Sequence, residues 1–201
     1  LVKKHCKDAD IVHHLAGITA VPRVKSEASE DKEKEIERVA KEGTQNILDA
    51  VNDNCKVIMP STHVVYEGMK DVQEDLLENE DTCPTLAYGR SKDFNEKQLK
   101  SSGKNFIILR LGSVYGYSTD TARIDIMTNL FSKISSQNGT LKLFAGGRQI
   151  KSLVPLIDVA RCFKFMEERA DINKELFNVT KEKVTVKDVA EICKKHNPKI
   201  S

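Results

Sequence analysis

The chain has 201 residues, 39% of them hydrophobic, enough to bury a core and to fill one or two domains. Its 32 basic and 30 acidic residues leave a net charge of +2 with both signs interspersed, which argues against a nucleic-acid groove or a membrane surface as partner. No apolar run approaches the ~18 residues of a spanning helix. The five cysteines (Cys6, Cys55, Cys83, Cys162, Cys193) are scattered, odd in number and without a C-x-x-C pair, so reduced thiols in a cytoplasmic protein are the expectation. The histidines lack ligand spacing, and the adjacent His13 and His14 would point to opposite faces of a strand, so no metal site is expected.

Taken in order, residues 10–15 (Asp-Ile-Val-His-His-Leu) read as a strand, with Ala16-Gly17 turning its end. Residues 26–54 read as one long helix, with Ile36, Val39, Ala40, Gly43, Ile47, Leu48 and Val51 as its buried stripe. The Lys/Glu-dense stretch from Glu27 to Glu42 fits a solvated face laced by i,i+4 pairs. Val57 to Thr62 is an apolar run ending in hydroxyls, a buried strand with its carboxyl end at a site; Ser61-Thr62 also suits a helix or turn cap. Residues 67–84 are acidic and irregular, either a loop over the site or a plain surface connection.

Pro84-Thr-Leu-Ala-Tyr-Gly-Arg-Ser-Lys92 opens the next helix. Tyr88 and Lys92 are four apart, so one helix face carries both side chains. A neighbouring ammonium favours phenolate and lowers the pKa of a phenol by about one to three units, roughly 1.4 to 4 kcal/mol, which makes the pair a proton shuttle. By themselves a Tyr and a Lys at this spacing are equally a solvated face. Residues 106–111 form a second strand that breaks into Gly112-Ser113-Val114-Tyr115-Gly116. Strand, helix, strand at this spacing is a parallel α/β unit, in which ligands bind outside the carboxyl ends of the strands. Thr62, Tyr88 and Lys92 would then converge. Further on, residues 129–135 read as helix, 140–144 as a short strand, 176–179 as a late strand and 185–195 as a final helix.

His14-Leu15-Ala16-Gly17, Glu42-Gly43-Thr44, Ser61-Thr62, the Tyr-Gly-x-Ser-Lys run at 88–92, Leu109-Arg110 with Tyr115-Gly116, and the segment 147–160 occur in an order that resembles the extended short-chain dehydrogenase/reductase family, in its nucleotide-sugar epimerase and dehydratase branch. The resemblance covers about residues 8–179. It implies a Rossmann-like doubly wound parallel sheet, incomplete at its N-terminus, in a partial dinucleotide-binding domain (1–116), and a smaller substrate-binding region (117–201) with segments returning to the sheet. It further implies NAD or NADP as cofactor, held by Leu15, Ala16, Gly17, Tyr88 and Lys92. Thr62, Tyr88 and Lys92 would be the catalytic triad. A nucleotide-diphosphate sugar would be held by Ser113, Arg148 and Lys151, and a homodimer would form through helices 27–53 and 85–102 as a four-helix bundle.

Departures from the family pattern refine this. Dehydratases follow the Thr with Asp-Glu; here His63 and Val64 stand there, and valine cannot move a proton. That favours 4-epimerisation or reduction of a keto-sugar over dehydration. Ala40 replaces the usual Asn, Ser113 another Asn, Lys151 an Arg, and Thr19 falls where 4-epimerases often carry Lys. Lysine keeps the charge at 151 but loses the two-pronged grip of a guanidinium on phosphate. Asp158 is expected to cap the helix 159–169. No glycine-rich phosphate turn occurs, so the chain is expected to enter the cofactor domain partway, to leave sheet edges exposed and to belong to a longer protein. The competing expectation is a truncated, non-catalytic relative serving as a binding subunit.

Overall fold

The computed structural model describes residues 1–19, 29–70, 73–119 and 123–201. They form two compact units, one made of residues 1–110 and 163–178, the other of 111–162 and 179–201. The first unit begins with α1 (Val2–Cys6), β1 (Ile11–His13), α2 (Glu30–Leu48), β2 (Lys56–Thr62), a 3₁₀ turn (His63–Tyr66) and α3 (Ala87–Ser101). Along the chain then come β3 (Asn105–Leu111), β4 (Ser113–Tyr115), α4 (Met127–Ser136), β5 (Ile150–Pro155), α5 (Leu156–Glu168), β6 (Glu175–Val179), β7 (Glu182–Thr185) and α6 (Val186–His196).

In the first unit the sheet order is β1-β2-β3-β6, with β1 parallel to β2 and His13 beside Ile58. β2 and β3 are buried on both faces, as interior strands covered by helices on either side must be. Alternation along β1 and the residue that follows it sends His13 and His14 opposite ways. His14 reaches Thr44 on α2 (2.9 Å), and His13 meets Phe163 edge-on and Glu167 at 2.9 Å, both on α5. The core joins Leu48, Val51, Cys55, Val57, Met59, Leu99, Phe106 and Ile108. Lys56 is buried too, and its ammonium closes the carboxyl end of α5 by donating to the carbonyls of Met166 (3.3 Å) and Arg169 (2.6 Å).

α2 is shorter than the helix expected over 26–54. Ser29 caps it by accepting the Lys32 N–H (3.3 Å), and Glu30, Asp31 and Glu33 complement its positive end; residues 26–28 lie outside the described residues. Its far end closes at Asp49, so Val51 contributes to the core from the connection rather than from the helix. Ile36, Ala40, Thr44 and Leu48, spaced by four, are its buried line. The charged face carries the expected i,i+4 pairs, Glu30–Lys34 (2.6 Å) and Arg38–Glu42 (2.8 Å). α2 packs along α3, and Arg90 on α3 joins them by pairing with Glu33 (2.9 Å) and Glu37 (2.8 Å) on α2.

In the second unit the sheet order is β4-β5-β7, with β4 parallel and β7 antiparallel to β5. Phe131, Leu153, Val189 and Ala190 form its core. Residues 140–144 are not a strand. Leu141 and Leu143 alternate as a strand would, but both pack on that core, the Leu141 N–H bonds the Ser201 carbonyl (2.8 Å), and Phe144 starts an exposed 3₁₀ turn. Gly147 closes that turn at φ +70°, where a Cβ would press on the backbone of Lys187, so only glycine fits. Asp158 does not cap the helix after it: α5 begins two residues earlier, and the Asp158 carboxylate accepts from Lys181 (2.7 Å) and Arg161 (3.1 Å) within the first turn. Thr185 and Asp188 form a reciprocal capping box at the start of α6.

Candidate functional site

β2 carries Thr62 to its carboxyl end, where the chain folds into the 3₁₀ turn. The Thr62 hydroxyl caps that turn by accepting the Val64 N–H (3.2 Å). Capping spends one lone pair and leaves the hydroxyl proton to give elsewhere. Both roles read from the sequence, cap and site, are therefore open to the same oxygen. Ser61 turns the other way and donates to Glu96 Oε1 (2.5 Å).

The start of α3 is fixed from outside the helix. Its N-terminal residue Leu86 has no side-chain cap; instead Glu67 Oε1 accepts from the N–H groups of Thr85 (3.2 Å) and Leu86 (2.7 Å) and from the Thr85 hydroxyl (2.9 Å). A carboxylate at that end satisfies otherwise unpaired donors and complements the helix dipole. The segment between Glu67 and Thr85 is closed at its neck by Gly68 N–H to Cys83 O and Cys83 N–H to Val65 O, each 2.8 Å. Gly68 admits no side chain there, because a Cβ would overlap the Cys83 carbonyl.

Tyr88 lies in the first turn of α3, half-buried, and Lys92 one turn later, buried on the same face. The Lys92 ammonium donates to the Pro60 carbonyl (2.8 Å), two residues before Thr62. A Cβ on Gly89 would come 3.2 Å from the Val64 carbonyl, so the glycine between Tyr88 and Arg90 lets the first turn of α3 lie on the backbone just past Thr62. α3 thus meets the strand end bearing Thr62 at two points that bracket it.

Burial pulls Lys92 down to about 8, with the Glu96 charge working in the opposite sense. His14, buried at the end of β1, is pushed down to about 4, first by burial and then by the charge of Lys92. Its Nε2 is bonded to Thr44, so two of the sequence markers, His-Leu-Ala-Gly and Glu-Gly-Thr, meet in one hydrogen bond. Leu15, Ala16 and Gly17 follow at the carboxyl end of the same strand, all exposed, and a Cβ on Gly17 would meet nothing within 4 Å.

Ser113, Arg148 and Lys151 belong to the second unit. Ser113 opens β4 beside Leu153 of β5, two residues along from Lys151, which pairs with Val184 of β7. Arg148 stands exposed after the 3₁₀ turn, its Nε donating to the Ala145 carbonyl (3.3 Å).

The residue that the sequence did not single out is Glu96. It is 1% exposed and receives Arg110 Nε (3.0 and 3.2 Å) and Nη2 (2.7 Å) besides the Ser61 hydroxyl. Arg110 Nη1 continues to the Tyr66 hydroxyl and to the Glu78 carbonyl (3.2 Å). Burial opposes the Arg110 charge, yet the hydrogen bonds and charge of Glu96, with Tyr66, more than offset it and hold its pKa above the ordinary value. The available signal was spacing: Glu96 follows Lys92 by four residues on the helix face that bears Tyr88.

The sequence profile of the NAD dependent epimerase/dehydratase family matches residues 1–180. Over 107 residues the chain is 36% identical to a dTDP-4-dehydrorhamnose reductase of Sinorhizobium fredii, an alignment covering 53% of this chain and 34% of that protein. Among solved structures, the UDP-glucuronic acid 4-epimerase of Bacillus cereus in complex with NAD superposes with a TM-score of 0.82 at 23% identity, covering 98% of this chain and 63% of the other. MoeE5 in complex with UDP-glucose and NAD superposes at 0.80 and 20% identity, covering 100% and 67%. TunA, an NAD dependent NDP-hexosamine 5,6-dehydratase, gives 0.79 at 22% identity, covering 100% and 65%. The chain therefore spans about a third of the curated relative and about two thirds of these solved structures, whose folds share its Rossmann-like α/β architecture. A profile match over most of its length, together with that fold, makes this chain a member of the NAD dependent epimerase/dehydratase family.

Proposed function

We propose that this chain carries the catalytic residues of an NAD(P)-dependent enzyme acting at C4 of a nucleotide-diphosphate sugar, in the manner of a 4-epimerase. One observation carries the reading: a buried ammonium, Lys92, sits one helical turn from Tyr88 and is anchored beside the strand end that bears Thr62. In this reading Tyr88, as phenolate, takes the proton of the sugar O4. Thr62 donates to that oxygen and holds it. Lys92 favours the phenolate by its charge.

The residues present fit the ribose end of a nicotinamide cofactor. An ammonium has three donors, and among the described residues that of Lys92 spends one, on Pro60. The other donors suit a pair of ribose hydroxyls, and the exposed Leu15-Ala16-Gly17 turn leaves room for a ligand to lie close to backbone. NAD, when bound, supplies the hydride acceptor and donor for C4. Ser113, Arg148 and Lys151 are the proposed contacts to the sugar diphosphate, and α2 with α3 the proposed homodimer surface.

The second reading, reduction of a nucleotide-bound keto-sugar, is favoured by the identity to a dTDP-4-dehydrorhamnose reductase. The experiment uses the full-length protein, given NAD and UDP-sugars or NADH and a dTDP-4-keto-sugar. An epimerase interconverts the C4 epimers without net change in reduced nicotinamide; a reductase consumes it stoichiometrically. Tyr88→Phe is expected to lower turnover about 10²- to 10⁴-fold in either case. Full activity in that variant overturns the reading.

A further inference from the structure

Two buried polar side chains of the first unit, Ser61 and Arg110, converge on one carboxylate. Glu96 accepts from Ser61, the neighbour of Thr62, and from Arg110 through two nitrogens, while Lys100 stands at its rim at 4.0 Å. It also lies one helical turn beyond Lys92 on α3. Lys92 is in a difficult place: it is 8% exposed, and its hydrogen-bond partner, the Pro60 carbonyl, carries no charge. A buried ammonium sheds its proton unless a counter-charge stands near.

The groups that bear on Lys92 come from several elements. Tyr88 and Glu96 share its own helix, and His14 faces it from the end of β1, hydrogen-bonded to the uncharged Thr44 of α2. Arg110 of β3 and Tyr66 of the 3₁₀ turn stand behind Glu96. Of these, His14 is held neutral at physiological pH by burial, Arg110 is positive, and Glu96 is the anion.

We propose that Glu96 is a positioning residue for the Tyr88–Lys92 pair: bonded to the Arg110 guanidinium and standing one helical turn from Lys92, its carboxylate keeps Lys92 cationic in a buried site and is tied, through Ser61, to the strand end carrying Thr62. The inference rests on the reading of Tyr88 and Lys92 as the reacting pair. It makes Lys92 the product of a balance, burial drawing it down to about 8 and Glu96 pulling it up. Removing Glu96 leaves two buried cations without an anion, and Lys92 yields its proton first because a guanidinium does not. Removing Arg110 does the opposite, since a nearby positive charge is lost while the carboxylate one helical turn away remains. Opposite signs are the mark of a charge effect. A merely structural contact would shift both variants alike or neither.

The test is an NMR titration of the complete protein without cofactor, labelled at lysine ¹³Cε and glutamate ¹³Cδ, with Lys92 and Glu96 assigned by Lys92→Met and Glu96→Gln. In the wild type, the Glu96 carboxyl resonance is expected to show an inflection at the pH where Lys92 loses its proton. Glu96→Gln is expected to lower the Lys92 midpoint by about one unit or more, and Arg110→Met to raise it. An uncoupled wild-type titration overturns the proposal, as does a Lys92 midpoint unmoved by Glu96→Gln or moved the same way by both variants. Should either variant fail to fold by circular dichroism, the wild-type inflection decides. No turnover enters this measurement. Coupling together with a fully active Tyr88→Phe would overturn the functional reading alone; no coupling together with an inactive Tyr88→Phe would overturn the Glu96 assignment alone.

Discussion

Two ion pairs of the same length sit in the two units and mean different things. Arg110–Glu96 in the first unit and Lys181–Asp158 in the second both close at 2.7 Å. The side chains of the first pair are 3% and 2% exposed, those of the second 57% and 27%. In water the attraction of two charges is largely cancelled by what each loses in hydration, and an exposed pair contributes little. Inside the protein neither partner can be removed without stranding the other. The pair worth altering is therefore identified by its surroundings, not its distance. The polar groups around it follow suit: Ser61, Tyr66, Lys92 and His14 are all buried, whereas Arg148, Lys151 and Lys181 of the second unit meet solvent at least in part.

The comparison can be broken at its strongest point first. Arg110→Met leaves the buried Glu96 carboxylate without its guanidinium and is expected to cost about 3–5 kcal/mol in urea unfolding. A loss below about 1 kcal/mol would place this pair in the same class as its exposed counterpart. Next comes pH. His14 is held at about 4 in the folded chain against 6.5 when free, so between these values the unfolded chain binds more protons. Stability then falls as pH drops from 6.5 to 4, by about 3 kcal/mol in total at 1.36 kcal/mol per unit, and no further below. The same titration on His14→Gln isolates this contribution from that of the carboxylates; identical slopes in the two proteins would remove it. The smallest effect is expected from Lys181→Ala, which should leave the thermal midpoint unchanged within error. A clear drop there would show that the exposed pair is more than decoration.

What could be read in advance follows the same line between local and non-local physics. β1, β2, β3 and α3 announce themselves by apolar runs and by helical spacing, and the shared face of Tyr88 and Lys92 follows from their separation alone. Glu96 does not. A glutamate among Asn95, Lys97 and Gln98 reads as a solvated face, and only Arg110, brought alongside from the next strand, shows that it is interior. The start of α3 is likewise set by Glu67, some 20 residues earlier, which no window of helix signals contains. The strand expected over 140–144 failed because alternation records which side chains are buried, not whether a neighbouring strand is present to accept the backbone bonds.

The neck formed by Val65, Gly68 and Cys83, with Glu67 clasping Thr85 and Leu86, has an evolutionary corollary. The two ends of the excursion are stapled together at its base, which sets where the helix at Ala87 begins, while Leu76 and Glu78 farther out are tied to Asn178 and Arg110. Lineages built on this scaffold would accordingly differ least at the six residues of its clasp.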